Sequence, residues 1–260
     1  MNTRTAFIAI VGCPNAGKSS ILNRIIGQKV SIVSPKPHTT RNRITGIRTW
    51  DDGVQLVFTD TPGFDKPKTR FDNRIQHAVT EGIRDVDACL LVVEPRGEIR
   101  RHEEILIERF REHSLPAVLA INKIDLLEDR SELLARIAEF SKLYDFEAVV
   151  PLSAKFKENI DELVTELKKL SVPSPHFFPD DALTDLTERQ IAADVVREKL
   201  LKRLDFEVPH GTAVVIEKYA KRENKDITDI SAVIYCEKDS HKGIIIGKGG
   251  SMLKAIGTDA

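Results

Sequence analysis

The 260 residues carry 39 Lys and Arg against 40 Asp and Glu, so no overall charge steers the chain toward nucleic acid or a membrane surface. Hydrophobic residues make up 41%, enough for a core, and the 30% that are charged fit a soluble globular chain of one or two domains. Cys13, Cys89 and Cys236 stand far apart, with neither zinc-ligand spacing nor a disulfide framework, which fits a reducing cytoplasm. Cys89 and Cys236 read as small core residues. No signal peptide is expected at the N-terminus, and no apolar run approaches the roughly 18 residues of a membrane span.

In chain order, Phe7 to Val11 is a short apolar run that predicts a buried parallel strand. Ile21, Leu22, Ile25 and Ile26 then recur at helical spacing, and Gly27 suits the helix end. Residues 29–43 are polar, hold Pro35 and Pro37, and predict a loop. Ile44 to Trp50 and Val54 to Phe58 flank Asp51-Asp52-Gly53, a hairpin signal. Apolar runs at 88–93, 117–121 and 148–152 predict three more strands, with helical patterns at 72–84, 101–112, 131–143 and 159–170. This alternation predicts an α/β domain whose mostly parallel sheet carries helices on both faces. Pro173, Pro175 and Pro179 crowd a polar and aromatic stretch, so residues 172–181 are expected as a stiff linker between a domain at 1–171 and a smaller α+β domain at 182–260. The second opens with an amphipathic helix from Thr187 to Leu204, followed by strands at 212–219 and 227–236. In the latter, Ile230, Ala232, Ile234 and Cys236 alternate, which predicts one buried and one exposed face.

Four segments occupy loops that follow strands, where open α/β sheets hold ligands. Gly12-Cys13-Pro14-Asn15-Ala16-Gly17-Lys18-Ser19 fits G-x-x-x-x-G-K-[ST], whose backbone N–H groups and following helix N-terminus cradle phosphate. Lys18 supplies charge to the β- and γ-phosphates and Ser19 an oxygen to magnesium, with Asn15, Ala16, Gly17 and Ser20 completing the cradle. Asp60 of Asp60-Thr61-Pro62-Gly63 is placed to hold magnesium through a water, and Gly63 offers its N–H to the γ-phosphate. In Asn122-Lys123-Ile124-Asp125, the Asp125 carboxylate accepts from guanine N1–H and the exocyclic amine; adenine lacks that donor pair, a mismatch that discriminates by roughly 10⁴–10⁵. Asn122 steadies the loop and Lys123 lays its stem over the base. In Ser153-Ala154-Lys155 the Ala154 N–H donates to the guanine carbonyl. Each segment alone also occurs as an ordinary turn. Four in this order predict a magnesium-dependent P-loop GTPase that binds GTP and GDP.

Gly243 to Ile256 reads as a short apolar helix, a Gly-rich turn and another helix. A G-x-x-G turn, here Gly247-Lys248-Gly249-Gly250, clamps a single-stranded backbone because glycines let phosphates approach the N–H groups at a helix start. Lys248, with Lys242 and Lys254, supplies local charge, although acidic residues slightly outnumber basic ones over 180–260. Bases are expected in the groove beside the turn, against Ile245 and Ile246. A purely structural glycine turn in a small α/β domain is the alternative.

The whole constellation resembles the translation-factor-like GTPases. Pro35-Lys36-Pro37-His38-Thr39-Thr40-Arg41-Asn42-Arg43-Ile44-Thr45-Gly46 looks like the switch-I segment of the Era family, and Asp60-Thr61-Pro62-Gly63-Phe64 followed by a KH-like turn is similar to the same family. The resemblance covers essentially the whole chain. It implies a GTPase domain followed by an RNA-binding KH domain, with Thr40 completing magnesium coordination and Thr39 as the other candidate. It also implies binding to the 3′ end of small-subunit ribosomal RNA during assembly of that subunit, in the cytoplasm, with peripheral membrane association and no DNA partner. A regulatory GTPase whose second domain binds protein is the alternative. By the same resemblance a KH fold continues beyond Ala260, so the second domain is expected to be incomplete, with less cover for Ile230, Ile234 and Ile256. Phe64 stands where many GTPases carry a water-orienting Gln, so unassisted turnover is expected to be slow. Asn15 either goes with a potassium ion near the β,γ-bridge, as in related GTPases, or only tolerates the loop geometry. Arg41 and Arg43 are other sources of charge, and His38 has no visible partner.

Overall fold

The structure, a computed structural model, describes residues 3–34, 36, 44–60, 86–205, 208, 211–223 and 225–260. The predicted helix at 72–84 and most of the switch-I segment lie outside the described residues. The chain divides into two compact units, Met1–Ser31 with Thr40–Asp185, and Ile32–Thr39 with Leu186–Ala260.

In the first unit, β1 (Arg4–Val11) leads to α1 (Lys18–Ile26), then β2 (Ile44–Thr49), β3 (Val54–Asp60) and β4 (Ala88–Val93). There follow α2 (Arg101–His113), β5 (Ala117–Ile121), a 3₁₀ turn at Ile124–Leu126, α3 (Arg130–Leu143), β6 (Ala148–Pro151), α4 (Ile160–Lys169) and β7 (Val172–Pro173). The sheet order is β2-β3-β1-β4-β5-β6, parallel except for β2, which pairs antiparallel with β3 across the Asp51-Asp52-Gly53 turn. Alternation along β1 shows how both faces are filled: Ala6, Ile8 and Ile10 join α1 and α4 in one core, whereas Ala9 and Val11 join α2 and α3 in the other. Gly27 ends α1 in the left-handed region (φ 83°), its N–H donating to the Asn23 carbonyl.

The stretch expected as a linker is bound along the first unit instead. Val172–Pro173 forms β7, antiparallel to the start of β1, where β4 has not yet begun. Beyond it, the fully buried Gln55 side chain of β3 accepts the N–H groups of Phe177 and Phe178 at 2.9 and 3.1 Å and donates to the Phe178 carbonyl at 2.9 Å. His176 bonds the Gly53 carbonyl (3.0 Å) and Asp180 (2.6 Å), Phe177 meets Phe7 edge-on, and the Leu183 carbonyl accepts from Ile47 N–H. The change of unit therefore falls at Asp185 and Leu186.

The second unit holds α5 (Glu188–Arg203), β8 (Thr212–Lys221), β9 (Thr228–Cys236), α6 (Asp239–Ile246), a 3₁₀ turn at Lys248–Gly250 and α7 (Ser251–Asp259). Thr187 and Gln190 form a reciprocal capping box at the start of α5. Strands β8 and β9 pair antiparallel, and Leu200, Leu204, Val208, Ile245 and Ile256 form the core. Two expectations are corrected. Ile230 and Ala232 are exposed on β9 rather than buried, because the core reaches only the Ile234 and Cys236 end of that face. Ile256 is fully covered, since α7 turns it onto α5 and α6.

Candidate functional site

The loop after β1 closes over the end of β4. At Gly12 (φ 144°) a Cβ would lie 2.2 Å from the Val92 carbonyl oxygen, so only glycine lets the loop pass. Asn15 is also left-handed, at φ 63°. Helix α1 begins at Lys18, so the unsatisfied N–H groups of its first turn lie at the loop. The buried Lys18 ammonium folds back to donate to the carbonyls of Gly12 and Cys13 at 3.0 and 2.9 Å. Burial lowers its pKa, while the Asp60 carboxylate acts in the opposite direction.

Parallel pairing of β1 with β3 sets Ile10 opposite Asp60, which brings the carboxylate beside the phosphate loop. Asp60 is fully buried; its Oδ2 accepts from Ser19 Oγ at 2.6 Å and from Ser31 Oγ at 2.9 Å. Asn23 of α1 shapes the turn that presents Ser31, accepting from the N–H groups of Val30 and Ser31 and donating to the Ser31 carbonyl. Hard oxygens converging on a buried carboxylate suit magnesium. No group of three or more His, Cys, Asp or Glu able to hold a metal occurs among the described residues.

Asn122 joins the phosphate and base ends. Its Nδ2 donates to the Ala16 carbonyl at 2.8 Å and its Oδ1 accepts from Ala154 N–H at 3.1 Å. Gly17 makes room for this amide, because a Cβ there would lie 2.1 Å from Asn122 Nδ2. Lys123 adopts a left-handed conformation (φ 66°) ahead of the 3₁₀ turn that carries Asp125, and its ammonium meets Glu94 at 2.5 Å. Ser153 Oγ donates to Asp125 at 2.6 Å. Arg24, in the last turn of α1, donates to the carbonyls of Ala154 and Lys155 at 2.8 and 3.2 Å. Asn15, Ala16, Gly17, Lys18, Ser19, Asp60, Asn122, Lys123, Asp125, Ser153, Ala154 and Lys155 thus sit on successive loops at one end of the sheet, with Ser20 in the first turn of α1. Thr39, Thr40, Gly63 and Phe64 lie outside the described residues.

In the second unit, Gly247, Gly249 and Gly250 all have positive φ (73°, 59° and 79°). A Cβ at Gly247 would strike Met252, whereas one at Gly249 or Gly250 meets nothing, so that side of the turn is open. Lys248 and Lys254 are exposed. Beside the turn, an open groove of about 170 Å³ is lined by Ala232, Ile234 and Cys236 of β9, Lys242, Ile245 and Ile246 of α6, and Leu253 of α7. Ile245 is 4% exposed and serves chiefly the core, while Ile246, at 37%, presents more of its surface. Cys236 is only half-buried here, unlike the fully buried Cys89.

Comparison with known proteins decides the family. A model described as 50S ribosome-binding GTPase matches residues 7–123, and a KH domain model matches residues 207–260. GTPase Era of Clostridioides difficile is 44% identical over 257 residues, covering 99% of this chain and 86% of that protein. GTPase Era of a Thermoanaerobacter species is 45% identical, covering 100% of this chain and 85% of that protein. The chain belongs to the Era family of GTPases. Two solved Era structures superpose over 99% of this chain and 87% of theirs. Era in complex with MgGDPNP and nucleotides 1506–1542 of 16S ribosomal RNA does so with TM-score 0.92 at 34% identity. A point variant of Aquifex aeolicus Era bound to GDP and AlF4⁻ does so with TM-score 0.93 at 35% identity. As an Era-family GTPase the protein hydrolyses GTP to GDP and phosphate.

Four residues that support this Era-type site carry no motif of their own: Asn23, Arg24, Ser31 and Glu94. Each acts through a backbone carbonyl, a backbone N–H or another motif residue, a role that leaves no composition signal. Beneath the phosphate loop, Cys13 Sγ lies 4.0 Å from Glu103 of α2. Burial pushes the Cys13 thiol up, and Glu103 adds to the effect. Burial likewise raises the Glu103 pKa, opposed by the bond from Arg100 N–H and by Arg136.

Proposed function

We propose that this Era-family GTPase is a nucleotide-driven switch that binds the 3′-end region of 16S ribosomal RNA and serves assembly of the small ribosomal subunit. The observation that carries the reading is the occurrence, in one chain, of a guanine-type nucleotide site and an open G-x-x-G turn beside an apolar groove. Its likeness to Era bound to nucleotides 1506–1542 supports that RNA as partner. Residues 1–185 form the nucleotide-binding part and 186–260 the KH part.

In this reading Asp125 takes the guanine N1–H and amine, Lys123 covers the base, and Ala154 N–H shares its bond to Asn122 with the guanine carbonyl. Lys18 exchanges the Gly12 and Cys13 carbonyls for phosphate oxygens, charge that favours the leaving diphosphate. Ser19 and Asp60 would hold magnesium, with Thr40 or Thr39 from switch I, and the ion would supply positive charge to the phosphates. Gly63 N–H meets the γ-phosphate. Asn15 would help hold a potassium ion, which would supply positive charge beside the phosphates; hydrolysis is then expected to be faster in potassium than in sodium at matched ionic strength, with the difference removed in Asn15→Ala. In the KH part, Gly247, Lys248, Gly249 and Gly250 clamp the RNA backbone, Lys254 adds charge, and Ile245 and Ile246 wall the base groove. Peripheral association with the inner face of the membrane is part of the reading. Flotation with anionic vesicles tests it, and absence of the protein from the vesicle fraction removes it.

The deciding experiment measures binding of a 16S 3′-end oligomer to the GTP-analogue and GDP forms of the protein. Tighter binding in one nucleotide state, with crosslinks mapping to 244–254, is expected. Equal, sequence-independent binding in both states refutes the switch.

A further inference from the structure

We infer that Arg24 is a positioning residue for guanine recognition: its guanidinium holds the 153–155 loop so that the Ala154 N–H faces the base edge. Arg24 ends the same helix whose first turn carries Lys18 and Ser19, so one rigid element spans the phosphate and base ends of the site. Two nitrogens of its planar fork meet two successive carbonyls, Ala154 at 2.8 Å and Lys155 at 3.2 Å, across 130 residues of chain. A fork on consecutive carbonyls fixes the 154–155 and 155–156 peptide planes, which follow directly on the 153–154 plane that carries the Ala154 N–H.

The loop needs such support. Lys157 and Asn159 are both left-handed, at φ 62° and 57°, and the Ser153–Glu158 pairing closes only a short isolated bridge. Upstream, Asn122 accepts from Ala154 N–H and Ser153 is tied to Asp125. Downstream, the Arg24 fork holds the Ala154 and Lys155 carbonyls. Without the guanidinium these carbonyls turn to water, the 154–155 and 155–156 peptides are released, and the adjoining 153–154 peptide, which carries the Ala154 N–H, is held only from the Asn122 side.

The inference rests on the proposed reading of Ala154 as the donor to the guanine carbonyl, and the test separates the two. Kd values are measured for GTP and for 6-thioguanosine triphosphate. The analogue keeps N1–H and the amine for Asp125 but offers sulfur, a poor acceptor, to Ala154. The unmutated chain is expected to prefer GTP. In Arg24→Ala, GTP binding should weaken roughly 3- to 10-fold, with the analogue affected far less, so that the preference contracts. Arg24→Lys, with one ammonium for two carbonyls, should lie between, and supplies the same readout should the alanine variant not fold. An unchanged GTP-to-analogue ratio in the variants overturns the inference even if both affinities drop, because a merely structural residue lowers both alike. Should the unmutated chain not distinguish the two nucleotides, the reading of Ala154 fails and the inference with it.

Discussion

At the scale of single residues, the nucleotide site is a set of close approaches that leave no room for a methyl group. Gly17 lies against Asn122, and Asn122 bonds both Ala16 and Ala154, so a side chain at 17 acts on both ends of the nucleotide at once. Gly17→Ala should weaken GDP binding roughly 10- to 100-fold through lost bonds and a strained left-handed alanine. Fluorescent GDP titration measures it, and affinity within twofold of the parent would show that the loop accommodates the methyl. Asp125→Asn should shift preference from guanine toward xanthine, since an amide offers a donor where the carboxylate accepted; competition between GTP and XTP reads this directly. The cysteines separate by the same physics. Burial pushes the Cys89 thiol up to about 12 and raises that of Cys13, leaving little thiolate on either at pH 8. A disulfide reagent should therefore modify half-buried Cys236 first in the folded protein, and Cys89 only on unfolding.

At the scale of elements, the segment after β7 behaves as a strap with a titratable clasp. Both partners of His176 are acceptors, the Gly53 carbonyl and the Asp180 carboxylate, so the doubly protonated ring satisfies both and the neutral ring only one. The Gly53 bond is the largest cause of its raised pKa; burial opposes it and Asp180 adds to it. A histidine raised in the folded state contributes stability that is full below its unfolded pKa, about 6.5, and lost as pH rises through the folded value. The exposed Asp180 limits the effect to about 0.2–1 kcal/mol. The parent should lose about 1–3 °C of thermal midpoint between pH 6 and 8 relative to His176→Gln, and parallel curves for the two proteins would remove His176 from the account.

This strap also marks the limit of what composition reveals. The strands at 88–93 and 117–121 are legible because continuous apolar runs must be buried on both faces, and the phosphate and base motifs are legible because each has fixed spacing. Prolines and polar residues at 172–181 read as a linker because the partner that binds them, Gln55, sits in an apolar strand with nothing to announce its role. Arg24 and Ser31 are hidden for the same reason: their bonds span 130 and 29 residues and depend on sheet order. The alternation in β9 misleads because period two sets which side chains share a face, and not how far the neighbouring helices extend over it.

At the scale of the whole molecule, the two units differ in the depth of their cores. Among the described residues the first unit has clusters of 23 and 12 buried residues, whereas the second has five. Each buried aliphatic side chain contributes roughly 1.5–3 kcal/mol, so the second unit should open first. Hydrogen exchange should show weaker protection in β8, β9 and α6 than in β4 and β5; equal protection would mean that the small core suffices.

The bonds of Gln55 also determine where the chain can be cut. A fragment ending at residue 171 strips the Phe177 and Phe178 backbone from the Gln55 amide, losing three hydrogen bonds of roughly 0.5–1.5 kcal/mol each, besides baring Phe7. A fragment ending at Asp185 retains every one of these partners. Excision of the nucleotide-binding half should therefore yield a well-behaved monomer only when the downstream fourteen or so residues, which contribute nothing to nucleotide chemistry, travel with it.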